Sequence, residues 1–429
     1  MAEWISGPGF LKFTLLMALT YPSLLYIFGL YEITAKFRKV FTLLHAMICS
    51  GLALFVFLLL NRVLNVSLPG NRILSLFLVI ATGSLFANRL FFSKYVTAPR
   101  ERKTNILFVG TDVLTKHIAN EIRESGYNAI GVLSDTDSVI GQYDHGLKII
   151  STGRNLGNLV KSKKIKILVM SLNCSTPLPV IKKIYAYTFK GVEVYRSDYY
   201  YEMLTRKFAI EPYLANKSIP FPNISTFTSP VYKNSKKLID FFSALTGLII
   251  LSPVFLVILI LIKLTSKGPV FYLQERIGFQ EKPFKLIKFR TMIADAEKAN
   301  GPQWASKNDS RVTAFGNFLR KTKLDELPQL LNVLKGELSF VGPRTLRKYA
   351  VKLIENNVPF YSIRFSVKPG ITGWAQVNYH YGGTVEGHIE KLKYDLYYLK
   401  HASLFLELFI ILKTVQTLVR NEAHQKGME

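Results

Sequence analysis

The sequence predicts a membrane protein of mixed α/β class, and three observations predict it. Within residues 1–95 lie three apolar segments, each about 20 residues long, the length a spanning helix requires. From Thr104 the pattern changes to short β-branched runs separated by polar helical stretches, the alternation of a parallel sheet with crossover helices. A fourth apolar run, Leu238 to Leu264, is interrupted by Ser252-Pro253 and is basic on both flanks. The architecture these imply is a set of N-terminal transmembrane helices, an α/β middle domain, and a re-entrant membrane helix leading into a small, mostly helical α+β domain.

The composition narrows the partners. Among 429 residues, Lys and Arg number 55 against 29 Asp and Glu, a formal net charge of +26, and 49% of residues are hydrophobic. A basic and greasy chain points to anionic membrane lipid. A nucleic-acid binder would share the charge but not the apolar runs, so no nucleic-acid partner is expected. A polytopic transporter would lack so large a polar middle. Cys49 and Cys174 are far apart and form no CxxC pattern, so neither a disulfide framework nor a cysteine metal site is expected.

The three N-terminal segments are Phe10 to Tyr31, Val40 to Leu60 and Ile73 to Phe92. The first lacks a basic n-region and is followed at once by further spans, which argues against a cleavable signal peptide. Lys36, Arg38 and Lys39 follow the first segment, and Lys94, Arg100, Arg102 and Lys103 follow the third, whereas the intervening loop has only Arg62 and Arg72. The positive-inside rule then puts the amino terminus outside and the chain after Phe92 in the cytoplasm.

Residues 100–215 read as a Rossmann-like domain: NILFVG, a helix near Val113 to Ser125, NAIGVLSD, KIKILVMSL and KGVEVYRSD. Its first turn, GTDVLTKH, keeps only Gly110 of the GxGxxG fingerprint, so close approach of a pyrophosphate to the backbone is not expected. A linker over 216–235 leads to the last part, 236–429. Proline in the centre of the fourth apolar run removes a backbone donor and kinks the helix, and the Ser252 hydroxyl can satisfy a freed carbonyl. Lys233, Lys236 and Lys237 before the run and Lys263 and Lys267 after it favour both ends on the cytoplasmic side, which makes the helix re-entrant rather than spanning. Asp240 is placed to pair with Lys236 or Lys237 one turn earlier. The stretch Leu404 to Val419, interrupted by Glu407 and Lys413, suits either the membrane interface or a buried face of the domain.

The chemistry concentrates in KTKLDELPQLLNVLKGELSFVGPR, Lys321 to Arg344. Adjacent carboxylates Asp325 and Glu326 sit among basic residues just before a helix start marked by Pro328, a setting for phosphate and a divalent cation. Gln274, Arg276, Lys285, Lys288 and Arg290 surround a glycine turn and could clamp a diphosphate or anionic lipid heads. SVKPGITGWAQVNYHYGG offers two glycine turns suited to cradling a base or sugar, and Asp395 in KYDLYY supplies another carboxylate. His380, His388 and His401 lack metal-ligand spacing and read as structural.

With these residues in order, the part from Lys233 to Val419 resembles the bacterial sugar transferase family, the monotopic polyprenyl-phosphate phosphoglycosyl transferases. The motifs that carry the resemblance are LQERIGFQEKPFKLIKFRTM, LRKTKLDELPQLLNVLKGELSFVGPR, VKPGITGWAQVNY and YDLYYLK. The whole chain resembles the large subfamily, which adds N-terminal membrane helices and a degenerate Rossmann-like domain; its members often show four such helices where this chain shows three. The resemblance implies Asp325 as nucleophile and Glu326 as ligand of a Mg²⁺ on the substrate diphosphate. A UDP-sugar is the implied donor, with UMP released, and undecaprenyl phosphate the implied acceptor. Ser252 and Pro253 match the helix-breaking pair. Arg276, Lys288, Arg290 and Arg344 are expected on phosphate, and Asp395 near metal or sugar. The implied location is the bacterial inner membrane, with the catalytic domain on the cytoplasmic face. The middle domain and linker, with no catalytic task of their own, suggest a homodimer.

Two rival readings differ in class. A membrane-anchored nucleotide-sugar dehydratase or epimerase would need the glycine fingerprint and a Tyr-x-x-x-Lys pair; YKNSK at Tyr232 to Lys236 lies outside the sheet domain. A non-catalytic assembly protein would not need the full set of acidic, basic and glycine motifs.

Overall fold

The computed structural model describes residues 51, 79–80, 82–84, 87, 104–124, 127–134, 139–172, 177–215, 218, 227, 229–293, 311–379 and 384–420. The first of the three N-terminal apolar segments lies outside these residues. The other two contribute only isolated positions, all helical. The chain divides into two compact units, Met1–Arg102 with Leu412–Asn421, and Lys103–Ile411 with Glu422–Glu429. The second unit holds the sheet domain and the domain on which the fourth apolar run rests.

The middle domain is a six-stranded sheet with order β3-β4-β2-β1-β5-β6. Its strands are β1 (Asn105–Val109), β2 (Asn128–Ser134), β3 (Tyr143–Asp144), β4 (Leu147–Thr152), β5 (Ile165–Met170) and β6 (Glu193–Arg196). All neighbours pair in parallel except the short β3, which is antiparallel to β4. The sequence reading anticipates β1, β2, β5 and β6. It does not anticipate the β3–β4 hairpin, whose turn uses His145 and Gly146 at φ 48° and 80°. Ile106 and Phe108 face one core with α1 (Val113–Glu124) and α4 (Ser197–Thr205). Leu107 and Val109 face the other, with α2 (Leu156–Ser162) and α3 (Leu178–Thr188). A two-residue period thus buries both sheet faces, as a doubly wound sheet requires.

The first turn of this domain has no vacancy for a pyrophosphate. Asp112 Oδ1 accepts from the backbone N–H groups of Leu114 and Thr115 at 3.0 Å each. Its Oδ2 accepts from Leu172 N at 2.9 Å and from Ser197 Oγ at 2.5 Å. These α1 N–H groups are the donors a dinucleotide phosphate would use. The chain's own carboxylate takes them.

The segment after α4, including α5 (Glu211–Ala215), leaves the sheet and packs on the C-terminal domain. Phe208 and Ile210 belong to that domain's largest core, beside Trp374, Leu392, Leu396 and Tyr398. Phe208 N donates to Lys393 O at 2.9 Å. The Trp374 indole donates to Arg206 O at 3.0 Å. Lys393 joins Glu211 at 2.7 Å and Glu390 at 2.9 Å, and Lys400 meets Glu202 at 2.8 Å. An apolar contact rimmed by part-buried ion pairs therefore fixes the two domains against each other.

The fourth apolar run is a 36-residue helix, α6 (Pro230–Thr265), with Pro253 inside it. Among the described residues it is the one helix long and apolar enough to cross a membrane. Pro253 leaves the carbonyl of Ile249 without its helical donor, and Ser252 Oγ donates to that carbonyl at 2.8 Å, as the sequence reading anticipates. Both halves of α6 lie on the same domain. Ala244 packs with Leu286, Leu330, Val333 and Leu338, while Ile258 and Ile262 pack with Phe289 and Leu319. Between them Ile249, Ile250, Val254, Leu256 and Val257 are exposed. The expected pairing of Asp240 with Lys236 is not the one formed: Lys236 reaches Glu407 at 2.7 Å, and Asp240 Oδ1 accepts from Phe340 N at 3.2 Å.

The domain that receives α6 is small, mixed and mostly helical. Two hairpin strands, β7 (Phe271–Ile277) and β8 (Pro283–Phe289), pair antiparallel, and β9 (Ser339–Val341) pairs parallel with β10 (Gly370–Thr372). Around them lie α7 (Ala314–Lys321), α8 (Gln329–Leu334), α9 (Lys348–Glu355), α10 (Trp374–Asn378), α11 (Val385–His401) and α12 (Leu404–Arg420). α12 is partly buried. Glu407 and Ile410 are buried against the domain, whereas Leu404, Phe405 and Leu408 are exposed. Glu407 accepts hydrogen bonds from Tyr232, Lys236 and Tyr398, so the YKNSK segment is spent on anchoring α6 to α12.

Candidate active site

The two carboxylates sit in a single 3₁₀ turn, Leu324–Glu326, between α7 and α8. Three local features aim them. Thr313 Oγ1 caps α7 by accepting from Gly316 N at 2.9 Å, and a Cβ at Gly316 would lie 2.0 Å from Thr291 O, so α7 packs directly on the chain leaving β8. Lys323 takes a left-handed conformation, φ 58°, which breaks α7 before the acidic pair. Asn332, fully buried, accepts from Ile287 N at 3.0 Å and donates to Lys285 O at 2.8 Å. Asn332 thereby stitches α8 onto β8 and brings the turn at its start over Lys288.

Within the turn the carboxylates have opposite fates. Glu326 Oε1 meets Lys288 Nζ at 2.9 Å and Arg344 Nη2 at 3.0 Å. Burial alone would raise its pKa, but the two cations outweigh burial and hold it well below the usual carboxylate range. Asp325 is buried, 8% exposed, and no hydrogen bond or ion pair engages it among the described residues. Burial pushes its pKa up, opposed first by the Lys288 charge. One carboxylate is locked ionised between cations; its neighbour is desolvated and unengaged.

Arg344 is held by its backbone. It follows the Gly342-Pro343 turn after β9, where Gly342 N donates to Thr372 O at 2.9 Å and Gly370 N to Pro343 O at 3.0 Å. A Cβ on Gly370 would come within 2.1 Å of Gly342 N, and one on Gly373 within 2.2 Å of Gly342 O. The space these glycines leave is taken by protein backbone. Trp374 is buried in the contact with the middle domain. Arg344 O then accepts from Arg364 Nη2 at 2.9 Å.

Arg276, at the end of β7, donates through Nε to Gln274 Oε1 at 2.8 Å and through Nη1 to Thr345 O at 3.3 Å. Its pKa is pushed down to about 10, first by burial and then by the positive charges of Arg344 and Arg347. Lys391 on α11 is pushed down to about 8 by burial, with Arg344 the first charge adding to it. Lys288 and Arg344 thus meet Glu326, Lys323 and Arg320 add positive charge beside Asp325, and Arg276 lies near enough to feel the charges of Arg344 and Arg347, as Lys391 feels that of Arg344, an excess of positive charge that suits a polyanion. Arg290 gives one nitrogen to the C-terminal end of α6: its Nη2 donates to Ser266 O at 2.8 Å and Ser266 Oγ at 2.6 Å, while its Nε and Nη1 are buried without a hydrogen-bond partner among the described residues. Asp395 is sealed against Arg364, 2.7 Å apart, with side chains 2% and 4% exposed. It reaches the site through Arg364 and the Arg344 carbonyl.

Sequence reasoning missed Asn332, Arg347, Arg364 and Lys391. Arg347 had a signal, three residues beyond the Pro-Arg pair. The other three matter through contacts made across the fold, which no local pattern announces.

Residues 231–421 match the family described as bacterial sugar transferase. Three relatives illustrate the likeness. Over 195 residues, 46% of each chain, the protein is 40% identical to a UDP-N-acetylgalactosamine-undecaprenyl-phosphate N-acetylgalactosaminephosphotransferase of Aeromonas hydrophila. It is 48% identical over 133 residues to a Bacillus subtilis (strain 168) protein named a putative undecaprenyl-phosphate N-acetylgalactosaminyl 1-phosphate transferase, covering 31% of this chain and 74% of that one. It is 41% identical over 185 residues to the exopolysaccharide production protein PSS of Rhizobium leguminosarum bv. phaseoli, covering 42% of this chain and 92% of that one. The match spans less than half the length of the larger relatives, such as the Aeromonas protein. The Rhizobium relative is covered almost end to end, and by that match this chain belongs to the bacterial sugar transferase family.

Proposed function

We propose that the protein transfers a hexose-1-phosphate from a UDP-sugar to undecaprenyl phosphate, giving undecaprenyl diphosphate-sugar and UMP, at the start of lipid-linked polysaccharide synthesis. The observation that carries the reading is the contrast within the acidic pair: Glu326 clamped by Lys288 and Arg344, Asp325 buried and unengaged. A desolvated carboxylate beside a cationic cluster is equipped as a nucleophile toward phosphorus. Asp325 attacks the β-phosphorus of the UDP-sugar, the bond to the α-phosphate oxygen breaks, and UMP leaves with that electron pair. An oxygen of the acceptor phosphate then attacks the same phosphorus and returns Asp325 as a carboxylate. Lys288, Arg276, Arg344 and Arg347 would hold the phosphate oxygens through both displacements.

Mg²⁺ is the cofactor this reading calls for. Among the described residues no group of three or more His, Cys, Asp or Glu could hold a metal, and Mg²⁺ shared with a diphosphate takes one or two carboxylates and fills its remaining positions from phosphate and water. Glu326, with Asp325 beside it, would hold the ion, which when bound neutralises charge on the diphosphate.

The reading requires a membrane surface, and α6 supports one. From Ala244 to Ile262 a straight helix rises about 27 Å, most of the roughly 30 Å hydrocarbon core. Both residues are buried on the same polar domain. A span would draw that domain into lipid. A helix that bends at Ser252-Pro253 in the bilayer, dips in and returns would leave it at the cytoplasmic surface, where the lipid acceptor and the nucleotide sugar meet.

The test is UMP release from a panel of UDP-sugars by the purified protein with Mg²⁺, with and without undecaprenyl phosphate, beside Asp325→Asn. Stoichiometric UMP without acceptor, turnover with it, and neither in the variant are expected. Unchanged release in Asp325→Asn would remove Asp325 from its role.

A further inference from the structure

A charged cavity lies at the other end of α8 from the carboxylates. Its volume is about 430 Å³, and its walls come from the first half of α6 (Asn234, Lys237, Leu238, Asp240, Phe241), the end of α8 (Val333, Leu334) and the following turn with Lys368. Gly336 in that turn has φ 76°, and a Cβ there would lie 3.3 Å from Lys368 Nζ. The bare glycine therefore lets the ammonium lie over the turn. Neither Lys237 nor Lys368 makes an ion pair among the described residues. Asp240, the acid on the wall, accepts from the Phe340 backbone.

The wall chemistry is divided. Leu238, Phe241, Val333, Leu334 and Leu338 are apolar, and on α6 Leu238 and Phe241 are 58% and 43% exposed. Two ammoniums stand beside them, with Lys233 and Lys236 near enough that their charges add to burial in lowering the pKa of Lys368, against the pull of Asp240. A cavity with a greasy wall and excess positive charge complements an amphiphile with an anionic head. Its place decides which amphiphile. Asp325 precedes α8, and Val333 and Leu334 end it, so a six-residue helix rising about 9 Å separates the cavity from the reacting carboxylates. A phosphate held here does not reach Asp325, which argues for a resident lipid rather than the acceptor.

We propose that this cavity binds the phosphodiester headgroup of an anionic glycerophospholipid, with Lys237 and Lys368 as the cation pair and the acyl chains along the exposed face of α6. The inference rests on the reading of α6 as a membrane-embedded helix. A lipid seated here would set the depth and tilt of α6 before either substrate binds.

The full chain, purified from membranes in mild detergent, is compared by native mass spectrometry with Lys237→Gln/Lys368→Gln and with Lys263→Gln/Lys267→Gln, altered at the other end of α6. Each is titrated with phosphatidylglycerol, phosphatidylcholine, undecaprenyl phosphate and inorganic phosphate. The wild type is expected to retain phosphatidylglycerol over phosphatidylcholine. The first variant should lose retention by roughly 30-fold, the attraction of two lysines to an anionic head. The second variant should match the wild type, and Lys237→Arg/Lys368→Arg should recover retention, which separates loss of charge from loss of folding. Equal retention in the first variant, preference for undecaprenyl phosphate, or saturation by inorganic phosphate alone overturns the proposal. Release of the wild type from membranes by alkaline carbonate would instead overturn the membrane reading of α6.

Discussion

Arg364 and Asp395 form an ion pair 2.7 Å apart, sealed from solvent, and the same guanidinium holds the carbonyl of Arg344 at 2.9 Å. Asp395 therefore acts on the site at one remove. Asp395→Ala leaves a buried, uncompensated guanidinium and should cost about 3–5 kcal/mol of stability. A thermal melt of the purified protein checks this. A wild-type melt accompanied by lost activity would instead put Asp395 on the substrate, as the sequence reading expects.

Asp325 should cost stability. Burial raises its folded-state pKa above the usual carboxylate value of 3.8. A group raised in this way stabilises the fold below the unfolded pKa and loses that contribution as pH rises through the folded one. At neutral pH the contribution is gone, so Asp325→Asn should melt no lower than wild type at pH 7 while UMP release is abolished. The gain should shrink as pH falls toward the ordinary carboxylate range.

The acid limb of UMP release follows from the same group. The nucleophile must be ionised, so the limb should lie above the usual carboxylate pKa. Lys288 is the first charge holding it down. Lys288→Met should move the limb to higher pH as well as weaken donor binding, and a pH profile of kcat/KM with no upward movement counts against the pairing.

Glu326 behaves in the opposite sense. Its folded-state pKa is held low by Arg344 and Lys288, so its contribution to stability is present above the unfolded pKa and is lost as pH falls through the folded one, below the ordinary carboxylate range. Glu326→Gln should destabilise at pH 7 by about 1–3 kcal/mol, less than a sealed pair because Arg344 is 47% exposed. Chemical denaturation at pH 7 measures it.

Gly373→Ala should unfold the site without touching a charged group. Its Cβ would come within 2.2 Å of Gly342 O, on the turn that presents Arg344. Overpacking against backbone costs about 1–3 kcal/mol or more. Loss of both the melt and UMP release is expected, whereas an unaffected variant would mean that the turn can shift freely.

Sequence alone determined much of this protein. Short β-branched runs alternating with polar helical stretches marked β1, β2, β5 and β6. The acidic pair before Pro328 marked the start of α8, and Ser252-Pro253 marked both the missing donor in α6 and the hydroxyl that replaces it. These are local properties, set by residues within a turn or two of one another. Only the tertiary structure decided which carboxylate is clamped and which is free, because Lys288 and Arg344 reach Glu326 from β8 and from the turn after β9. It tied one nitrogen of Arg290 to the end of α6 and put Asp395 behind Arg364. It also gave Gly370 and Gly373 to backbone packing. Charge type and spacing are written along the chain, but burial and partnership depend on contacts between residues far apart in sequence, and those decide which charge meets substrate and which one holds the fold.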